Sequence, residues 1–416
     1  MNIPLTLALD RIESLITRPA ESYTDPDERA AEFQRRLERT HRLMECLGAP
    51  HRTLNTIHIG GTSGKGSVAM LCESVLLEAG LQVGTHTSPY LQSSLEKVRV
   101  DGRLLAPQEA VELADEVMTC VEYVRASWPE LGAPHYAEAW LGMALSYFQK
   151  RRCEVGVIEV GMGGRYDCTN IITPSVSVIS TVHYDHMRVL GETIAEIAYH
   201  KAGIIKPGIP IVLGEVESEE AVAQIEAEAR HRGTRLLRLG KEIQVQPTGF
   251  SLAGGSFSYR GLDIQLDDLR VGLLGRHQIA NAAVALAALE VFCSTHGITL
   301  EEGTIRRGLA KARFAGRLEI MQEADRGARR RTQPGEDGCP GLGDPRSVPL
   351  PPPDPGAGHA GDQARRADLA GARRAGRDDR HHLAGGEGQA RRPRRRAGLD
   401  GPRARHRVGG RHRRPA

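Results

Sequence analysis

Residues 54–80 run LNTIHIGGTSGKGSVAMLCESVLLEAG. Leu54, Ile57 and Ile59 predict a strand running into Gly60, Gly61, Gly64 and Gly66, after which Val68, Leu71, Cys72, Val75, Leu76 and Ala79 recur at helical spacing until Gly80. A strand, a glycine-rich turn and an amphipathic helix in that order cradle phosphate. The glycines let backbone N–H groups converge on one oxyanion cluster, the helix N-terminus adds partial positive charge, and Lys65 supplies a full one. Gly61, Thr62, Ser63, Gly64, Lys65, Gly66 and Ser67 are therefore the candidate nucleotide-binding residues, with Lys65 catalytic and the Ser67 hydroxyl a Mg²⁺ ligand. Gly66 between Lys65 and Ser67 departs from the common GxxxxGK[ST] loop.

The chain's 416 residues suffice for two or three domains, and their charge is unevenly spread. From Glu323 to the end, 22 arginines face 12 acidic residues, a charge of +10; the preceding part holds 33 basic and 40 acidic residues, a charge of −7. An acidic front part has no basic stripe to neutralise a phosphate backbone, so nucleic acid is not expected as a partner. The 7 cysteines show no CxxC pair or regular spacing, which suits buried thiols in a reducing compartment. MNIPLTLALDRIESL lacks a basic leader with an apolar run behind it, and no uninterrupted apolar stretch reaches bilayer-spanning length. A cytoplasmic monomer without a membrane partner is expected.

Elsewhere, apolar spacing predicts helices within residues 5–47, a strand at 81–87, a hairpin turning at Asp101-Gly102, and helices over 107–126 and 136–150. Glu138 in the last of these reads equally as a solvated helix residue or a site residue. In EVGVIEVGMGGRYDCTN (154–170), Val155, Val157, Ile158 and Val160 predict a parallel strand covered on both faces. Glu159 interrupts that run near the strand's carboxyl end, where open α/β sheets hold ligands, and a buried carboxylate there calls for a cation. SVSVISTVHYDHMRVLG (175–191) repeats the pattern, a strand and then a loop with His183, Asp185 and His186. TIAEIAYHKAGIIKPG (193–208) predicts a helix carrying Lys201 near its end. A strand at 209–216, a helix ended by Gly233, short strands over 235–274 and a helix rich in small apolar residues around Asn281 complete the pattern. Strands alternating with helices over 54–216 give an α/β fold with a doubly wound parallel sheet.

GTSGKGS (61–67) resembles the GTNGKGS loop of the Mur-ligase superfamily, in particular folylpolyglutamate synthase and dihydrofolate synthase, with Ser63 in place of Asn. TSPYL and KVRVDG resemble TSPHL and ERIRVNG, with Tyr90 where His is common; EVGMGGRYDCTN and YDHMRVLG are similar to EVGxGGRxDxTN and xDHxxxLG. HKAGIIKPG resembles EKAGIxKxG with His200 for Glu, HQIAN resembles HQxxN, and FAGRLE resembles FPGRLE with Ala315 for Pro. These motifs keep the family's order across roughly residues 35–321. The resemblance implies a Mur-ligase-type ATP-binding domain over residues 1–321. It implies Mg²⁺ held by Ser67, Glu159 and His186, and Asp167, Thr169 and Asn170 near substrate or interdomain contacts. It further implies a catalytic Lys201 whose carbamate orients a second metal, with Asn281 and Arg317 on the nucleotide.

The resemblance also implies ATP-dependent ligation of L-glutamate to dihydropteroate or folate through an acyl phosphate. Another Mur-type amino-acid ligase is the alternative within the class, and a P-loop kinase or GTPase outside it. TSPYL and the absence of a nucleotide-sugar domain before Leu54 favour folate; Gly66 and AYHKAGI count against the kinase or GTPase.

Residues 322–416 do not continue the family's pattern, which calls for a Rossmann-like domain opening with an apolar strand and a DGAHNP loop. From Glu323 on there is no Lys, Ile, Phe, Tyr, Trp, Met or Asn, so a disordered basic tail is expected. Its Ala, Gly, Pro and Arg are the residues of GC-rich codons. Writing Ala324 to Leu342 as degenerate codons and advancing one nucleotide admits Pro-Ile-Val-Val-Leu-Asp-Gly-Ala-His-Asn-Pro-Glu-Lys-Met-Ala-Ala-Leu, the missing strand, loop and helix start. A frameshift near Gln322 or Glu323, in the gene or its record, accounts for the tail better than an RNA-binding function, because no aromatics are interleaved with the arginines. This copy is expected to lack the glutamate-binding half and to be inactive or impaired.

Overall fold

The computed structural model describes residues 3–16, 25–322 and 328–331, all within one compact unit, Met1–Cys339. Two helices, α1 (Ile3–Glu13) and α2 (Pro26–Cys46), precede the first strand, β1 (Asn55–Gly60). The phosphate-loop helix α3 (Lys65–Glu78) leads to β2 (Val83–His86), followed by a hairpin of β3 (Val98–Val100) and β4 (Arg103–Leu104). Helices α4 (Pro107–Ser127) and α5 (Tyr136–Lys150) come before β5 (Val155–Glu159) and β6 (Val176–Thr181). Then follow α6 (Met187–Leu190), α7 (Ile194–Ala202), β7 (Ile211–Glu215), α8 (Glu219–His231) and β8 (Leu236–Arg238).

These strands form one sheet in the order β4-β3-β2-β5-β1-β6-β7-β8. From β2 to β8 the pairs are parallel, as expected of alternating strands and helices. The β3–β4 hairpin, turned by Asp101 and Gly102, adds an antiparallel edge. Side chains alternate between the faces: Val155, Val157 and Val212 join the core with α3, while Ile158 packs towards α5 and Ile211 and Leu213 towards α7 and α8. Both faces are covered, so the strands read as continuous apolar runs.

Two further helices, α9 (His277–His296) and α10 (Glu302–Lys311), follow a three-stranded antiparallel sheet of β9 (Gln244–Ser251), β10 (Gly254–Arg260) and β11 (Gln265–Val271). Both pack on α3, and α9 also lies against β6 and β7 of the main sheet. That corrects the amphipathic reading of α3: Gly66 to Glu73 are all buried, because sheet and helices enclose the helix. Helix α9 is long and apolar enough to cross a membrane, but 78% of that span is buried inside the protein, which marks it as a core helix.

Glu138 is not a solvated helix residue. It is buried in α5, where Arg39 of α2 donates to it through Nε at 2.9 Å, Thr40 Oγ1 donates at 3.2 Å, and the His135 N–H also donates. Arg39 reaches Glu32 as well, so a desolvated network fixes α2 to α5. The expectation of free thiols fails for one pair: Cys46 and Cys120 are joined as a disulfide, with Cα atoms 5.7 Å apart, tying the end of α2 to α4. Cys72, Cys168 and Cys293 are buried free thiols.

The expected boundary at 321/322 falls within a short antiparallel pair, β12 (Glu319–Gln322) and β13 (Ala328–Arg331). The expected disordered tail otherwise lies outside the described residues.

Candidate active site

The site forms where β1 ends. The parallel register sets Ile59 opposite Glu159 on one side and Val178 on the other, so the tips of β5 and β6 flank the start of the phosphate loop. Gly64 caps α3 with φ 84°, a left-handed conformation that strains any side chain, and a Cβ there would lie 2.5 Å from Asn281 Oδ1. The loop is clamped to the end of β6: Ser63 N–H donates to Thr181 Oγ1 at 3.0 Å, Ser180 Oγ donates to Ser63 O at 2.6 Å, and Thr62 Oγ1 donates to His183 O at 3.3 Å. Lys65 folds back over the loop, its Nζ donating to the carbonyls of Gly61 and Thr62 at 3.2 and 3.1 Å.

Around Gly66 the other elements converge. Ser67 Oγ accepts from Gln278 Nε2 at 3.2 Å, and Gln278 Oε1 accepts in turn from Asn281 Nδ2 at 3.0 Å, so the first turn of α9 rests on the phosphate loop. A Cβ on Gly66 would be 3.5 Å from Glu159 Oε2 and 2.6 Å from the Phe314 ring. Glu159 is 2% exposed and accepts the Ser88 N–H through Oε2 at 2.9 Å. The Arg317 guanidinium lies 5.3 Å from the centroid of that Phe314 ring.

Lys201, in the last turn of α7, is 1% exposed. Burial, with the Lys65 charge adding to it and Asp185 opposing, pushes its pKa down to about 7. His186 stands on the rim: it adopts φ 46° ahead of α6, its side chain is 44% exposed, and Asp185 Oδ1 lies 3.6 Å from its Nε2. His200, where the resembling motif has Glu, packs among the rings of Phe33, Tyr166 and Tyr199. Asp167, Thr169 and Asn170 stabilise their own loop. Asp167 accepts from Thr169 N–H at 3.0 Å and Met162 N–H at 3.1 Å, Thr169 Oγ1 meets His58 Nε2 at 2.9 Å, and Asn170 Nδ2 donates to Gly203 O at 3.1 Å.

A divalent cation fits this donor set as a guest of a bound phosphate. Among the described residues no three His, Cys, Asp or Glu side chains converge into a cation cage. The buried Glu159 carboxylate comes within 3.5 Å of a Cβ on Gly66, the residue before Ser67, and Mg²⁺ is commonly held by one or two protein oxygens together with phosphate and water.

Three neighbours escaped the sequence reading. Ser88 contributes only its backbone, Gln278 stands in the same motif as the more conspicuous Asn281, and Phe314 reads as an ordinary linker aromatic.

The Mur ligase middle domain matches residues 134–289. A dihydrofolate synthase/folylpolyglutamate synthase of Bacillus subtilis is 36% identical over 288 residues, 69% of this chain and 66% of that protein. The apo form of L. casei FPGS superposes with a TM-score of 0.69 at 33% identity, covering 77% of this chain and 74% of that one. The chain belongs to the folylpolyglutamate synthase family of Mur ligases. An FPGS–AMPPCP–folate complex in the same family matches with a TM-score of 0.69 at 34% identity over 76% of this chain and 74% of that one. The family's α/β architecture, with its large and mostly parallel sheet, is thus present here, while the chain spans just under two thirds of the length of its B. subtilis relative.

Proposed function

We propose that this chain carries the ATP-binding half of a ligase that joins L-glutamate to dihydropteroate or folate. The observation that supports this most strongly is the meeting of Ser67, Glu159 and Asn281, from three separate elements, around the turn at Gly64 to Gly66. A carboxylate oxygen of the pterin acid attacks the γ-phosphorus of ATP, an O–P bond forms, and the bond to the β,γ-bridging oxygen breaks to release ADP. The glutamate amine then adds to the acyl carbon, loses a proton and expels phosphate as the amide forms. Main-chain N–H groups of residues 61–67 and the Lys65 ammonium hold the phosphates, and Asn281 and Arg317 hold the nucleotide. Ser67, Glu159 and His186 would hold Mg²⁺, which supplies positive charge to the transferred phosphoryl group.

Lys201 fits the part of a carbamylated lysine. A lysine whose pKa is pushed down to about 7 is about half free amine at neutral pH, and that amine adds to CO₂ with loss of a proton to give an anionic carbamate.

The glutamate-binding half belongs to the sequence that the tail replaces. The 416-residue chain should therefore bind nucleotide and fail to ligate, whereas the chain restored to the other reading frame after Gln322 should release ADP when dihydropteroate and glutamate are both present. Glutamate-dependent ADP release by the 416-residue chain would refute the loss; absence of release by the restored chain with any pterin acid would refute the substrate class.

A further inference from the structure

Lys97 is a buried cation for which the scheme above has no use. Its backbone is fixed from two sides: Thr87 N–H donates to the Lys97 carbonyl at 3.1 Å and His86 Nδ1 donates to it at 3.0 Å. A carbonyl only accepts, so His86 carries its proton on Nδ1. The neighbouring Ser88 N–H donates to Glu159, and residues 86–88 thereby link the Lys97 backbone to the carboxylate beside the phosphate loop.

The residue is 9% exposed, and its ammonium faces two aromatic rings, with Nζ 5.6 Å from the Tyr90 centroid and 5.4 Å from that of Tyr136. Glu159 attracts it at longer range, yet burial prevails and lowers its pKa. Among the described residues no oxygen accepts from its three N–H donors. Ring faces alone compensate poorly for a desolvated ammonium, so the arrangement calls for an arriving anion. The side open to it is defined by Tyr90 and Leu91, 39% and 42% exposed.

We propose that Lys97 Nζ receives the reacting carboxylate of the pterin acid, with Tyr90 and Tyr136 against the aromatic ring that bears it. The proposal rests on the ligase reading above. In that reaction a carboxylate must approach an anionic phosphate near a second carboxylate, Glu159, and a cation on the acceptor's side offsets the repulsion. A purely structural Lys97, stacked between two rings, would be indifferent to the acceptor's charge.

The test is titration of the 416-residue chain with dihydropteroate and with its neutral methyl ester, using wild type, Lys97→Met and Lys97→Arg, each with AMPPCP and Mg²⁺ present. Wild type should bind the acid roughly 10- to 100-fold more tightly than the ester, the worth of one charge-assisted hydrogen bond. Lys97→Met, close in volume, should bind both as wild type binds the ester, and Lys97→Arg should restore most of the preference. If Lys97→Met keeps the wild-type preference for the acid, the role of Lys97 is overturned and the ligase reading stands. If wild type binds AMPPCP but neither pterin compound, the acceptor class itself is overturned, and Lys97's role with it.

Discussion

A Cβ on Gly64 would come within 2.5 Å of Asn281 Oδ1, so a turn near the start of the sheet and a helix near the end of the described chain share one contact. Gly64→Ala therefore meets two penalties, left-handed backbone strain of about 1–2 kcal/mol and displacement of Asn281 from Gln278. The expected result is a folded protein, melting a few degrees lower, whose affinity for AMPPCP falls at least tenfold by calorimetry. Unchanged affinity would mean that the Asn281 side of the loop does not touch the nucleotide.

Arg39→Met should be far more damaging than the loss of a surface arginine. It leaves Glu138 and part of Glu32 charged, buried and unpaired, a loss of about 3–5 kcal/mol in denaturant unfolding. A loss under about 1 kcal/mol would show that the network is replaceable by packing.

Stability should fall in acid before the carboxylates titrate. His58 and His86 are buried, and their pKa values are pushed down to about 3 from 6.5. Between those values the unfolded chain binds more protons than the folded one, so the contribution to stability is complete above pH 6.5 and is lost as pH drops towards 3. Denaturation midpoints measured from pH 7 to 4 should decline, and His58→Gln should flatten the decline. A profile unaltered by the substitution would place the titration elsewhere.

Lys201 should take up ¹³CO₂ near neutral pH, giving a carbamate resonance that Lys201→Met lacks. Uptake should rise as pH passes about 7 and the amine loses its proton. No Lys201-dependent signal up to pH 9 would exclude the carbamate.

The local parts of this site were legible in the sequence because each obeys a local rule. The phosphate loop needs glycines at fixed positions, and Glu159 stands out as a carboxylate in an apolar run. What escaped depends on partners brought from afar. Glu138 looks like any helix glutamate until Arg39 of another helix is set beside it, and the periodicity of α3 suggests one apolar face because α9 and α10 are invisible from within residues 65–78. Cys46 and Cys120 are separated by 74 residues and carry no spacing signal. Lys97 is hidden for a related reason: its rings come from a loop and from α5, and a lysine opening a hairpin is usually solvated.

In the ligase reading, the loop at 61–67 and Glu159 together hold a Mg²⁺-bound nucleotide. Calorimetric titration of the 416-residue chain with AMPPCP, with and without Mg²⁺, tests it directly. Binding should be one-to-one, strengthened by Mg²⁺, abolished in Lys65→Met, and retained but insensitive to Mg²⁺ in Glu159→Gln. Equal Mg²⁺ dependence in wild type and Glu159→Gln, or no binding by the wild-type chain, would contradict it.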